Sequence, residues 1–191
     1  MPVFDLRRGD ALLIVDVQND FLPGGALEVS HGDEVVPVLN RWIQAAVSQG
    51  VPVFATRDWH PEDHCSFLAR GGLWPPHCVQ GTNGAEFAHD LRLPASVTVV
   101  SKGADRDLDA YSGFQGTDLD RMLRAAGVRR VLVGGLATDY CVLESVRDAM
   151  ALGYEVVLLR DGMRAVNAHP GDGLRAEQEM IRAGASCVAT A

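Results

Sequence analysis

The run ALLIVDV, residues 11–17, is a continuous apolar stretch interrupted only by a carboxylate, Asp16, near its end. A run this short, with no polar alternation, reads as a strand buried on both faces, the kind found in parallel sheets. Outward from it, VPVFAT (51–56), VTVVSK (97–102), RVLVGG (130–135) and YEVVLL (154–159) repeat the pattern, and a last short strand is expected near Cys187 to Ala189. Helical patterns lie between them. Val35, Val38, Leu39, Trp42, Ile43 and Ala46 fall at helical spacing in a helix expected from about Asp33 to Gln49, with Gly50 as its stop. Thr117 reads as the N-cap of DLDRMLRAAG, ended by Gly127. TDYCVLESVRDAMALG (138–153) reads as a helix capped near Thr138 or Asp139, and another is expected around Leu174 to Arg182. Alternating strands and helices predict an α/β fold: three α/β/α layers around a central, mainly parallel six-stranded sheet, in a single domain over residues 1–191.

The 191 residues are 47% hydrophobic, enough for one substantial core. A net charge of −8 argues against nucleic-acid partners, which require clustered Lys and Arg. No apolar run nears the roughly 20 residues that span a membrane. The start, MPVFDLRRGD, lacks the basic head and long apolar stretch of a secretory signal, so the expectation is a cytoplasmic chain. The four cysteines form no CxxC pair and read as thiols, ligands or a nucleophile, not as a disulfide framework.

Sites in such sheets form beyond the carboxyl ends of the strands. That rule selects Asp16, the segment from Arg57 to His64, Lys102 and the residues after Gly135. Cys141 follows GGLATDY at the expected start of a helix, where the helix dipole favours a thiolate and exposed N–H groups can hold an oxyanion. A buried structural cysteine is the alternative. Asp16 could serve as a general base or as a turn cap. Lys102 is the single lysine among 17 Lys plus Arg, and a position that keeps a compact ammonium can need one. Together the three make a nucleophile, a base and an electrostatic partner.

The segment RDWHPEDH (57–64), with His77 in WPPHC (74–78), supplies Asp58, His60, His64 and His77 within a long loop. Asp58 and His60 are two apart and face one side of an extended chain. One carboxylate with two or three imidazoles suits zinc, manganese or iron. A solvated His-rich loop, or a structural zinc clip using Cys65 and Cys78, are alternatives. His31, His89 and His169 read as surface residues.

VDVQNDF (15–21), RDWHPEDH, WPPHC, SKGAD…AYSGF (101–114) and GGLATDYCV (134–142) together resemble the nicotinamidase branch of the isochorismatase-like cysteine hydrolases, in order over nearly the whole chain. The resemblance implies a catalytic triad of Asp16, Lys102 and Cys141. It implies a cis peptide at Leu136–Ala137 and oxyanion donors at the Ala137 and Cys141 N–H groups. It implies one divalent metal ion, zinc first with iron or manganese as alternatives, on Asp58, His60 and His77, with His64 as a fourth position. Phe21, Trp74 and Tyr111, with Leu136 and Tyr140, would line a ring pocket. The implied activity is hydrolysis of nicotinamide to nicotinate and ammonia, and of pyrazinamide likewise, in NAD salvage. The alternative is a related cysteine amidohydrolase acting on a carbamoyl or ureido substrate. A metal-stapled scaffold without catalysis is the reading from another class. A homo-oligomer is left open.

Overall fold

Strand β1 (Asp10–Val15) occupies an interior position of a six-stranded sheet in a computed structural model that describes residues 6–189. The first half of the stretch read as lacking a secretory signal lies outside the described residues. The other strands are β2 (Val53–Asp58), β3 (Thr98–Lys102), β4 (Arg130–Leu136), β5 (Glu155–Arg164) and β6 (Ser186–Val188), in the order β3-β2-β1-β4-β5-β6. Every pairing is parallel. The chain reverses its direction of travel between β1 and β4, and that switch opens a crevice at the carboxyl ends of those two strands.

β1 is apolar on both sides because each side meets a layer of helices. Leu12 and Ile14 pack with Val35, Leu39, Trp42 and Ile43 of α1 (Val35–Ser48). Ala11, Leu13 and Val15 face the opposite layer, with Leu119 and Leu123 of α2 (Leu119–Ala125), Val146 of α3 (Leu143–Ala151) and Met180 of α4 (Asp172–Arg182). Each large apolar side chain buried this way contributes roughly 1.5–3 kcal/mol. β1 and β4 approach so closely at their ends that a Cβ on Gly135 would lie 2.0 Å from the Val15 carbonyl, so this position admits only glycine.

Three elements differ from the sequence expectation. β5 runs on to Arg164, five residues past Leu159, because a bulge against β4 between Val133 and Gly135 lets the polar ArgAspGly stretch pass before pairing resumes at Met163. The helix expected from residue 138 opens with a π-helical turn, Thr138–Val142, and becomes α-helical at Leu143. Asp118 holds the cap position of α2, although Thr117 still contributes: its Oγ1 accepts the Leu119 N–H at 3.2 Å. Among the described residues, no helix is long and apolar enough to cross a membrane.

Candidate active site

Four adjacent strands deliver the site. Asp16 follows β1, Asp58 ends β2, Lys102 ends β3, and Ala137 to Cys141 follow β4. Asp58 and Lys102 are register partners on neighbouring strands, so their side chains leave the same face of the sheet. The Lys102 ammonium is almost wholly buried and anchors the group. Its Nζ lies 2.9 Å from Asp16 Oδ2, 2.5 Å from Asp58 Oδ1, 3.2 Å from the Ala110 carbonyl and 3.4 Å from Cys141 Sγ. The other Asp16 oxygen accepts a hydrogen bond of 2.7 Å from Thr56 Oγ1.

Burial sets the electrostatics. It pushes the Asp16 carboxyl above its ordinary value, with Lys102 opposing. Burial also pushes Asp58 up, but the Lys102 ammonium and His60 outweigh it and hold Asp58 well below the usual carboxylate range. For Lys102, burial favours the neutral amine, and Asp16 and Asp58 overturn this to keep it charged. Cys141 departs from the sequence argument. Burial pushes its thiol well above the ordinary value, and Lys102 only partly offsets that. Cys141 sits in a π-helical turn, Thr138–Val142, that leads into α3. The Val142 and Tyr140 N–H groups both close on the Ala137 carbonyl at 3.1 Å. Burial thus favours the neutral thiol at Cys141, and an Asp16 oxygen lies within 4.8 Å as a base. The Leu136–Ala137 peptide is cis.

Asp58, His60 and His77 bring ligand atoms within 4.8 Å of one another. His60 Nδ1 donates to the Gly103 carbonyl at 2.9 Å, and His77 Nδ1 donates to the Pro75 carbonyl at 2.8 Å. Those carbonyls fix Nδ1 as the protonated nitrogen and turn each Nε2 toward Asp58 Oδ2, at 3.6 Å and 4.0 Å. Gly103 fits tightly, since a Cβ there would lie 2.5 Å from His60 Cε1. This donor set, one carboxylate oxygen and two imidazole nitrogens, fits a divalent cation. Burial lowers His77, whereas Asp58 outweighs burial at His60 and raises it, so a proton and a cation compete for that nitrogen.

His64 is buried and stacks on His60 with ring centroids 4.2 Å apart, yet it does not join the donor set. Its Nδ1 accepts the Ser66 N–H at 3.3 Å and meets Ser66 Oγ at 2.8 Å. That leaves Nε2 as the donor, and it points to the Leu108 carbonyl at 3.1 Å. Both His64 nitrogens are thus engaged within the protein. Among the described residues, the ligand clusters include neither Cys65 nor Cys78, the cysteines of the zinc-clip alternative.

Above the two groups lies an apolar pocket lined by Phe21, Leu27, Val29, Trp74, Tyr111, Tyr140 and Val166, with Asp58, His77, Ala137 and Cys141 also on its wall. Trp74 Nε1 donates to the Tyr111 hydroxyl at 2.9 Å, and Tyr140 packs edge-on against Trp74. Leu136, expected here, is instead fully buried in the core over Gly32 and lines no part of the pocket. Several contributors escaped the sequence reading: Thr56, Gln18, Ser66, Leu27, Val29 and Val166. Gln18 matters most. Its side-chain amide donates to the Asp58 and Ala85 carbonyls and accepts the Asp58 N–H, each at 2.8 Å. It replaces the strand neighbour that β2 loses when β1 turns away at Asp16. For Thr56 a signal existed: it lies two residues before Asp58 on β2, the period of one strand face.

Comparison with known proteins agrees with this geometry. Residues 10–190 match the family described as the isochorismatase domain. The chain is 43% identical to the nicotinamidase of Escherichia coli K12, covering 92% of each. The pyrazinamidase of Pyrococcus horikoshii, solved in complex with zinc, superposes with a TM-score of 0.91 at 48% identity, covering 95% of this chain and 99% of that one. PnC1 of L. infantum, solved in complex with nicotinate, gives 0.88 at 38% identity, covering 99% and 96%.

Proposed function

The chain belongs to the isochorismatase family, and from that premise we propose that it is a cysteine amidohydrolase converting nicotinamide to nicotinate and ammonia, and pyrazinamide to pyrazinoate, within NAD salvage. The observation that carries this is the contact of Lys102 Nζ with both Cys141 Sγ and Asp16 at the foot of an aromatic-walled pocket. A flat, six-membered aromatic carboxamide suits such a pocket, with its amide toward Cys141 and its ring against Trp74, Tyr111 and Phe21.

In the proposed reaction the Cys141 thiol passes its proton to Asp16 as Sγ attacks the carboxamide carbon. Deprotonation at the moment of attack suits a thiol that burial holds neutral. The Ala137 and Cys141 N–H groups receive the developing oxyanion; losing one such donor typically slows an enzyme by about 10²–10³. Asp16 then returns the proton to the departing nitrogen, and ammonia leaves. Water, deprotonated by Asp16, resolves the thioester and releases nicotinate. Lys102 holds Asp58 charged, opposes the effect of burial on Asp16 and steadies negative charge on sulfur. Asp58, His60 and His77 would hold one divalent cation, zinc in the first instance, which when bound supplies a Lewis acid for the ring nitrogen. The likeness to a pyrazinamidase solved with zinc supports that choice.

We further propose that residues 1–191 work as one cytoplasmic domain on small-molecule substrates, with a homo-oligomer left to direct measurement. The test is ammonia release from nicotinamide, pyrazinamide and a ureido acid. Turnover of the two aromatic amides and not of the ureido compound supports the proposal. The reverse preference points to the carbamoyl and ureido branch.

A further inference from the structure

Asp139 lies in the Thr138–Val142 turn, two residues before Cys141. Its carboxylate accepts the Val166 N–H on Oδ1 at 2.9 Å and the Asn167 N–H on Oδ2 at 2.8 Å. Those two groups have left the sheet, since β5 ends at Arg164. Asn167 holds a left-handed backbone (φ 53), and its Oδ1 accepts the Gly173 N–H at 2.9 Å, which ties the segment to the first turn of α4. Val166 lines the ring pocket together with Ala137, Tyr140 and Cys141. A single carboxylate therefore joins the turn that carries the nucleophile to the segment that supplies an apolar wall.

We propose that Asp139 is a positioning residue that sets the width of the ring pocket by holding Val166, and so governs affinity for the flat aromatic ring. This rests on the reading of the pocket as a pyridine-carboxamide site. The two charge-assisted bonds go to consecutive N–H groups, which leaves Val166 little freedom to swing outward. An asparagine in its place keeps the shape but turns an NH₂ toward one of the two N–H groups, so one bond is lost and donor faces donor.

The test is nicotinate binding by calorimetry on the zinc-loaded protein, with KM and kcat for nicotinamide measured beside it. Asp139→Asn should weaken nicotinate binding by about tenfold, the scale of one lost contact in an apolar pocket, and should raise KM by more than it lowers kcat. Val166→Ala should reproduce the effect. The double variant should bind no worse than the weaker single, because both changes remove one contact. Strictly additive losses, a fall in kcat with unchanged binding, or a lower melting temperature alone would overturn the inference. If Asp139→Asn does not fold, unchanged nicotinate binding by Val166→Ala overturns it just as well. A chain that binds nicotinate but leaves nicotinamide intact contradicts the proposed reaction, whereas unchanged binding in both variants contradicts only the role given to Asp139.

Discussion

Lys102 Nζ sits 2.5 Å from Asp58 Oδ1, while the other oxygen of the same carboxylate faces His60 and His77. One aspartate thus serves the nucleophile and the cation donor set together. The lysine beside Cys141 and the cation donors are coupled through that carboxylate, because any change at Asp58 alters the partner of Lys102.

Lys102→Arg should be poorly active although charge is kept. The ammonium fits between Asp16, Asp58, the Ala110 carbonyl and Cys141 Sγ, and a planar guanidinium is too large for that space. Lys102→Met should also destabilise the fold by about 3–5 kcal/mol, since two buried carboxylates lose their counter-charge. Steady-state rates and urea midpoints measure both. A fully active Lys102→Arg protein would reduce the lysine to simple charge balance.

Asp58→Ala, His60→Ala and His77→Ala should each lower bound metal in elemental analysis. His64→Ala should lower it far less, because both His64 nitrogens are already bonded. Glu62→Ala and Asp63→Ala are controls from the same loop, and Asp63 pairs with Arg106 instead. Metal loss in Cys65→Ser or Cys78→Ser with retention in Asp58→Ala would restore the zinc-clip reading.

Gln18→Leu should destabilise the protein by about 2–4 kcal/mol and weaken metal binding without touching a ligand. It strands the Asp58 N–H and two carbonyls in a buried setting, and each orphaned group costs about 1–3 kcal/mol before relaxation. Urea unfolding and zinc titration of the metal-free protein read the two effects. Unchanged zinc affinity would show that Gln18 supports the strand alone.

The legible features were those written in periodicity and at strand ends. β1 through β4 declare themselves as apolar runs, and Asp16, Asp58 and Lys102 are the polar residues that close three of them. What stayed hidden depends on contacts across distance. Gln18 meets Asp58 forty residues away, and Asp139 meets Val166 twenty-seven away, and no local pattern encodes such meetings. The end of β5 was masked by Arg160, Asp161 and Gly162, polar residues that a bulge carries past the ladder. The π-helical turn at Cys141 reads as ordinary α-helix in sequence because its residues are common helix starters. The hydrogen bonds of His64 to Ser66 and Leu108 were likewise invisible in the sequence.

The most direct test of the central claim is nicotinate formed from nicotinamide by the zinc-loaded protein and by Cys141→Ala at equal folded concentration. The wild type should release nicotinate and ammonia in equal amounts. The variant should keep its melting temperature and metal content and fall below about one per cent of the wild-type rate, the loss expected when covalent catalysis is removed. A Cys141→Ala protein that still turns over nicotinamide at a substantial fraction of that rate would contradict the account.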